Sequence, residues 1–255
     1  MLYTCDIGNT NIKVATFNLG TITGNYNFSG IDKFFEFLIT ESPAQLALSS
    51  VVPALGKEVS KFIKTNFNFS PFIINHDIRF NLSIDYHPLE NLGIDRICSA
   101  EGALFLFKNS NDFKYYSSKS VIVTIDLGTA TTINVIKYPQ NFSGGLIAPG
   151  VKMMFNSLTK DTALLPSVSE NDYNEIISQD TKSSIASGVI NSTLGLIERT
   201  LASIHKIYST DQLKIYITGG NAKYFLPHFD FEFQFEKALV HWGIQAIYAT
   251  NIKES

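Results

Sequence analysis

Asp6-Ile7-Gly8-Asn9-Thr10 and Asp126-Leu127-Gly128-Thr129-Ala130 carry residue types that handle phosphate, and they recur 120 positions apart. In each run a glycine lets the backbone turn sharply and brings successive N–H groups against an anion. The aspartate at its head can hold a hydrated cation beside that anion. Two such turns facing each other across a cleft would clamp the phosphates of a nucleotide. The first run, extended through Asn11 and Ile12 to Lys13, supplies backbone donors, an amide, a hydroxyl and an ammonium within eight residues. The second adds Thr131 and Thr132 but no basic residue.

Two further runs matter. Ile217-Thr218-Gly219-Gly220-Asn221-Ala222 ends a strand-like stretch in two glycines ahead of a helical one. A flat group such as an adenine or ribose could lie against that backbone. Gly93-Ile94-Asp95-Arg96 joins a polar loop to a helical pattern, and two readings are open. Asp95 could simply cap a helix, with Arg96 a surface charge. Alternatively, Asp95 is a carboxylate base that takes a hydroxyl proton, and Arg96 is the fork that grips a substrate carboxylate.

The elements that must position these residues follow from periodicity. Leu2–Cys5 and Val121–Ile125 read as strands entering the two turns, and Ile12–Phe17 and Thr131–Ile136 as strands leaving them. Helices are predicted at about 31–41, from Pro53 with the stripe Leu55, Val59, Phe62 and Ile63, over 95–108, near 151–159, from Ser183 to about Tyr208, at 221–226 and over 240–250. Strands are predicted at 45–52, 71–75 and 214–218. The turn-forming segment 109–119 is a natural boundary, giving domains of 1–115 and 116–255, with the last helix free to pack back on the first. Hairpins followed by alternating strands and helices imply mixed sheets with helices on their faces.

Composition bounds the function. Of 255 residues, 45% are apolar, enough for two cores, and the net charge of −3 with no basic block argues against nucleic acid as a partner. Cys5 and Cys98 lack metal-ligand spacing and read as reduced core residues of a cytoplasmic protein. No leader is expected at the N-terminus, and no apolar run approaches the roughly 18 residues that span a bilayer.

The ordered set D-I-G-N-T-N-I-K, S-S-V-V-P, L-G-I-D-R, D-L-G-T-A-T-T, G-G-L-I-A-P-G, S-I-A-S-G and T-G-G resembles type III pantothenate kinase, the bacterial enzyme of the first step of coenzyme A synthesis. That resemblance implies an α/β fold of the duplicated ribonuclease-H-like type shared by actin, Hsp70 and sugar kinases, with two domains around a cleft. It further implies that residues 6–13 hold the phosphates of ATP with Mg²⁺, and that Thr129 touches ATP. Gly93, Ile94, Asp95 and Arg96 would bind pantothenate, Asp95 being the general base. Asp126 would ligate a monovalent cation, K⁺ or NH4⁺. Tyr86 and Thr181 would contact pantothenate, Thr181 from the partner subunit of a homodimer. The family commonly reads Tyr-x-Asn-Pro ahead of the Gly-x-Asp-Arg run, whereas here Tyr86-His87-Pro88-Leu89 stands there, and His87 is expected to be a loop residue.

Two other functions compete: a kinase of another small acid or sugar, and a non-catalytic nucleotide-binding regulator of the same family. The base and anion clamp side by side at Asp95 and Arg96 argue against the first. Retention of Asp6, Asp95, Arg96 and Asp126 together argues against the second.

Overall fold

The computed structural model describes residues 1–115, 117–160, 165–210 and 212–252. Two compact units emerge: residues 1–116, 139–144 and 238–255 form one, and residues 117–138 and 145–237 the other.

The first unit is built on the sheet β3-β2-β1-β4-β5. β1 (Leu2–Ile7), β2 (Ile12–Asn18) and β3 (Thr21–Phe28) form an antiparallel meander, while β4 (Leu46–Ser50) and β5 (Phe72–Ile73) run parallel to β1. Alternation along β1 sorts its side chains. Tyr3, Cys5 and Ile7 join a core with Phe34 and Leu38 of α1 (Ile31–Glu41) and Val59 and Ile63 of α2 (Pro53–Phe67). Pro53 opens α2, where its missing N–H costs nothing. Thr4 and Asp6 therefore face the other side of the sheet. There α3 (Ile94–Lys108) packs against β4, and α6 (Leu239–Ile252) against β1 and β4. The two helices cross with backbones nearly touching. A Cβ on Gly102 would lie 2.0 Å from the Leu239 carbonyl oxygen, and one on Gly243 1.8 Å from that of Cys98. Both cysteines are buried and unbridged.

The two-residue strand β6 (Ser83–Ile84) also belongs to the first unit, parallel with Asn141–Phe142, which open β9 (Asn141–Pro149). Glu101 of α3, almost fully buried, accepts hydrogen bonds from Leu82 N and Asn81 Nδ2 and so fixes the segment entering β6. Burial raises the pKa of its carboxyl above the ordinary value, against the lowering effect of those bonds.

The second sheet has six strands, β11-β10-β7-β8-β9-β6, and its first five repeat the topology of the first sheet. β7 (Ser120–Leu127) and β8 (Ala130–Lys137) are antiparallel, and β10 (Gln212–Thr218) and β11 (Gln234–Phe235) extend the sheet in parallel. Val121, Val123, Ile125 and Leu127 pack on α4 (Val151–Lys160) and α5 (Thr181–Tyr208). The duplicated order, three antiparallel strands continued by two parallel ones, is the ribonuclease-H-like fold of the actin and sugar-kinase group.

Several expected elements differ in detail. Thr21–Phe28 and Asn141–Pro149 are strands that the periodicity did not mark. α5 begins at Thr181, two residues early, because Asp180 caps it by accepting from Ser183 N. The helix expected at 221–226 is two short 3-10 turns, Ala222–Tyr224 and Leu226–His228.

Candidate active site

The two Asp-x-Gly turns close equivalent hairpins. Asp6 is in register with Lys13 across β1 and β2, and Asp126 with Thr132 across β7 and β8. On the parallel side Asp6 faces Ser49, and Asp126 faces Thr218. Two residues upstream, Thr4 and Thr124 are fully buried and hydrogen-bonded, to Ala15 O and from Asn134 Nδ2. The repeat thus extends to the supporting residues, and its main chemical asymmetry is the Lys13 ammonium against the Thr132 hydroxyl.

The turns are tight: Gly8 N donates to Asn11 O at 3.0 Å and Gly128 N to Ala130 O at 3.1 Å. Neither glycine adopts positive φ; among the described glycines only Gly20, Gly144 and Gly219 do. At Gly128 the missing side chain instead makes room for the Asp126 carboxylate, 3.1 Å from where a Cβ would stand. Asn9, Thr10, Lys13 and Thr129 are exposed, while Ile7 and Ile12 are buried beneath the first turn.

Gly93, Ile94, Asp95 and Arg96 form the first turn of α3. Gly93 is the N-cap, and a Cβ there would lie 2.4 Å from Asp95 Oδ1, so a larger residue would displace this carboxylate. Asp95 Oδ1 accepts from Arg96 N at 2.9 Å, which orients a partly exposed carboxylate at the positive end of the helix. Arg96 is not a surface charge: it is only 5% exposed, and its guanidinium lies 5.9 Å from the centroid of the Phe142 ring. Tyr86, half-buried, sets its ring edge-on to Phe142 at 6.4 Å. His87 is exposed and pairs with Asp85 at 3.1 Å.

Asp6 and Asp95 share a neighbourhood through Cys98, one helical turn beyond Asp95. Burial raises the pKa of the Cys98 thiol, and the carboxylates of Asp6, Asp95 and Glu101 raise it further. The first turn and the Gly93–Arg96 run both belong to the first unit.

In the second unit the Asp126 turn is locked from behind. Asn221 N donates to Leu127 O and Asn221 Nδ2 to Gly128 O, both at 2.9 Å. Gly219, at φ +102°, brings its backbone against Leu127, where a Cβ would stand 2.4 Å from the Leu127 carbonyl carbon. A Cβ on Gly150 would meet Thr129 O at 2.2 Å. The A-P-G and T-G-G-N runs thus converge on the D-L-G-T turn. Sequence reasoning missed Asn221 as the clamp; its position directly after the two glycines was the available signal. Thr181 is exposed at the start of α5 and lines an open depression with Ser178, Gln179, Asp180, Ser184 and Ile185, all local in the chain.

Among the described residues no cluster of three or more His, Cys, Asp or Glu could hold a metal. The single carboxylates Asp6 and Asp126, each beside a glycine turn, fit hard cations, which keep much of their shell in water and other oxygen ligands. Among the described residues no helix is long and apolar enough to cross a membrane.

Fold and turns together define a member of the actin and sugar-kinase fold group. The glucokinase of an Antarctic psychrotroph superposes with TM-score 0.51 at 13% identity, covering 98% of each chain. A Campylobacter jejuni protein described as a conserved Baf family transcriptional activator superposes with TM-score 0.60 at 20% identity, covering 98% of this chain and 99% of that one. Within that group, residues 2–203 match the type III pantothenate kinase family, and the chain belongs to it. The type III pantothenate kinase of Sulfurihydrogenibium sp. (strain YO3AOP1) is 29% identical over 259 aligned positions, spanning 96% of this chain and 98% of that relative.

Proposed function

We propose that this chain transfers the γ-phosphoryl group of ATP to the primary hydroxyl of pantothenate, the first step of coenzyme A synthesis. The observation that carries the reading is the buried Arg96 guanidinium next to the partly exposed Asp95 carboxylate at the head of α3. The planar fork of a guanidinium matches the two oxygens of a substrate carboxylate. Asp95 accepts the hydroxyl proton as the hydroxyl oxygen bonds to the γ-phosphorus. The bond from that phosphorus to the β-phosphate oxygen breaks, and ADP leaves with the electron pair.

In this reading the backbone of residues 6–12 and the Lys13 ammonium hold the ATP phosphates, and Thr129 contributes a hydroxyl. Mg²⁺, when bound, spreads the phosphate charge, and Asp6 is the carboxylate beside it. Asp126 serves a monovalent cation, K⁺ or NH4⁺. Tyr86 lines the pantothenate site, and Thr181 reaches it from a second copy in a homodimer. Ile176 and Ile177, 67% and 78% exposed just ahead of Thr181, offer apolar surface for such a copy. The reading places the enzyme in the cytoplasm, with neither nucleic acid nor membrane as partner.

Pantothenate-dependent ADP release, followed with coupling enzymes in Mg²⁺ and K⁺, tests the assignment. Turnover with pantothenate and not with sugars or other hydroxy acids is expected. No turnover under those conditions overturns it in favour of the regulator. Preference for another acceptor overturns the substrate alone.

A further inference from the structure

Phe142 lies outside every motif that marks this site, yet it touches two of the site's side chains. It is fully buried at the start of β9, in parallel register with Ile84 of β6. From there its ring stands 5.9 Å from Arg96 Cζ and 6.4 Å from the ring of Tyr86. All three residues belong to the first compact unit. Ring faces are electron-rich and attract a guanidinium, the more so where water is excluded. The strand pairing fixes Phe142, and Phe142 in turn offers Arg96 a surface and Tyr86 an edge.

We infer that Phe142 is a positioning residue for pantothenate. It holds the Arg96 fork in the orientation that meets the substrate carboxylate and gives the Tyr86 loop, whose sequence departs from the family pattern, a fixed point. This rests on the reading of Arg96 as the carboxylate clamp. Phe142 does not touch the reacting atoms, so its removal acts on substrate affinity rather than on proton transfer.

Phe142→Leu keeps apolar bulk and removes the ring face. The expected result is a roughly 3- to 30-fold higher KM for pantothenate, the span of a cation–π contact from exposed to desolvated. kcat and the KM for ATP should stay within about twofold. In an Arg96→Ala background the same change should add little, because the group being oriented is gone. If Arg96→Ala raises the pantothenate KM while Phe142→Leu does not, or if the two effects simply add, the inference falls and the clamp reading stands. If Arg96→Ala leaves that KM unchanged, the clamp reading itself fails and takes the inference with it. Site-specific fluorinated phenylalanines at position 142 settle the matter should the leucine variant not fold. They preserve shape and weaken the ring face stepwise, so a graded rise in pantothenate KM supports the inference and a flat series overturns it.

Discussion

Thr4 Oγ1 and His241 Nδ1 lie 2.9 Å apart, joining β1 to α6 across 237 positions of sequence. The Thr4 hydroxyl has one proton and donates it to Ala15 O, so the imidazole donates from Nδ1 to Thr4 Oγ1. Burial and then the charge of Lys13 depress its pKa to about 3. This contact secures, from beneath, the strand that carries Asp6.

The linkage has a definite sign. Between pH of about 6.5 and about 3 the unfolded chain binds a proton at His241 that the folded chain refuses, so stability is lost as pH falls through that window. At pH 4 the loss is about 3 kcal/mol. His241→Asn cannot titrate there. Urea unfolding at pH 7 and pH 4 should show the wild type losing about 3 kcal/mol more than the variant. Parallel losses would mean that His241 is protonated in the fold.

The crossing of α3 and α6 leads to a second prediction. Gly243→Ala places a methyl where Cys98 O already stands, 1.8 Å away, so one helix must move. Overpacking of this kind typically costs ~1–3 kcal/mol, which lowers Tm by roughly 3–10 °C for a chain of this size. Because α3 carries Asp95 on its first turn, kcat should fall with stability. Thermal melts and turnover of the same preparation check both, and an unaltered Tm would refute the close crossing.

How much of this was readable in advance depended on whether a signal was local. The Asp6 and Asp126 turns were legible because strand, turn and strand lie within about a dozen residues, as were the striped helices α1, α2 and α5. β9 was not, since Gly144, Gly145 and Pro149 spell a loop. The strand forms because Gly145 lets its backbone approach Ile133 O to where a Cβ would stand 1.9 Å away. β3 was hidden in the same way by Gly24, Asn25 and Asn27. Arg96 read either as a surface charge or as a carboxylate clamp, because the ring it lies against, Phe142, is 46 residues downstream. Glu101 gave a faint signal, a lone acid in the otherwise apolar run of α3, and its partners Asn81 and Leu82 supply the reason.

Asp95→Asn separates proton transfer from binding. The amide keeps the size of the carboxylate, and its oxygen can still accept from Arg96 N, so the head of α3 should hold its shape. What is lost is the base, typically worth ~10²–10⁴ in rate. Steady-state kinetics should show kcat falling by that factor with the pantothenate KM within a fewfold. An equal loss confined to KM would reassign Asp95 to binding.

Asp126→Asn probes the asymmetry between the two turns. Asn221 holds Leu127 O and Gly128 O, contacts that do not involve the Asp126 side chain, so the turn should survive the substitution. If Asp126 serves a monovalent cation, the wild type should turn over several-fold faster in K⁺ than in Na⁺ at equal ionic strength. The variant should lose that difference, because a neutral amide attracts a cation far more weakly than a carboxylate. Asp6→Asn should instead weaken ATP use in both salts alike, since Asp6 faces Lys13 across the first hairpin while Asp126 faces Thr132. A wild type indifferent to the cation would remove this role from Asp126 and make the second turn a contact for ATP alone.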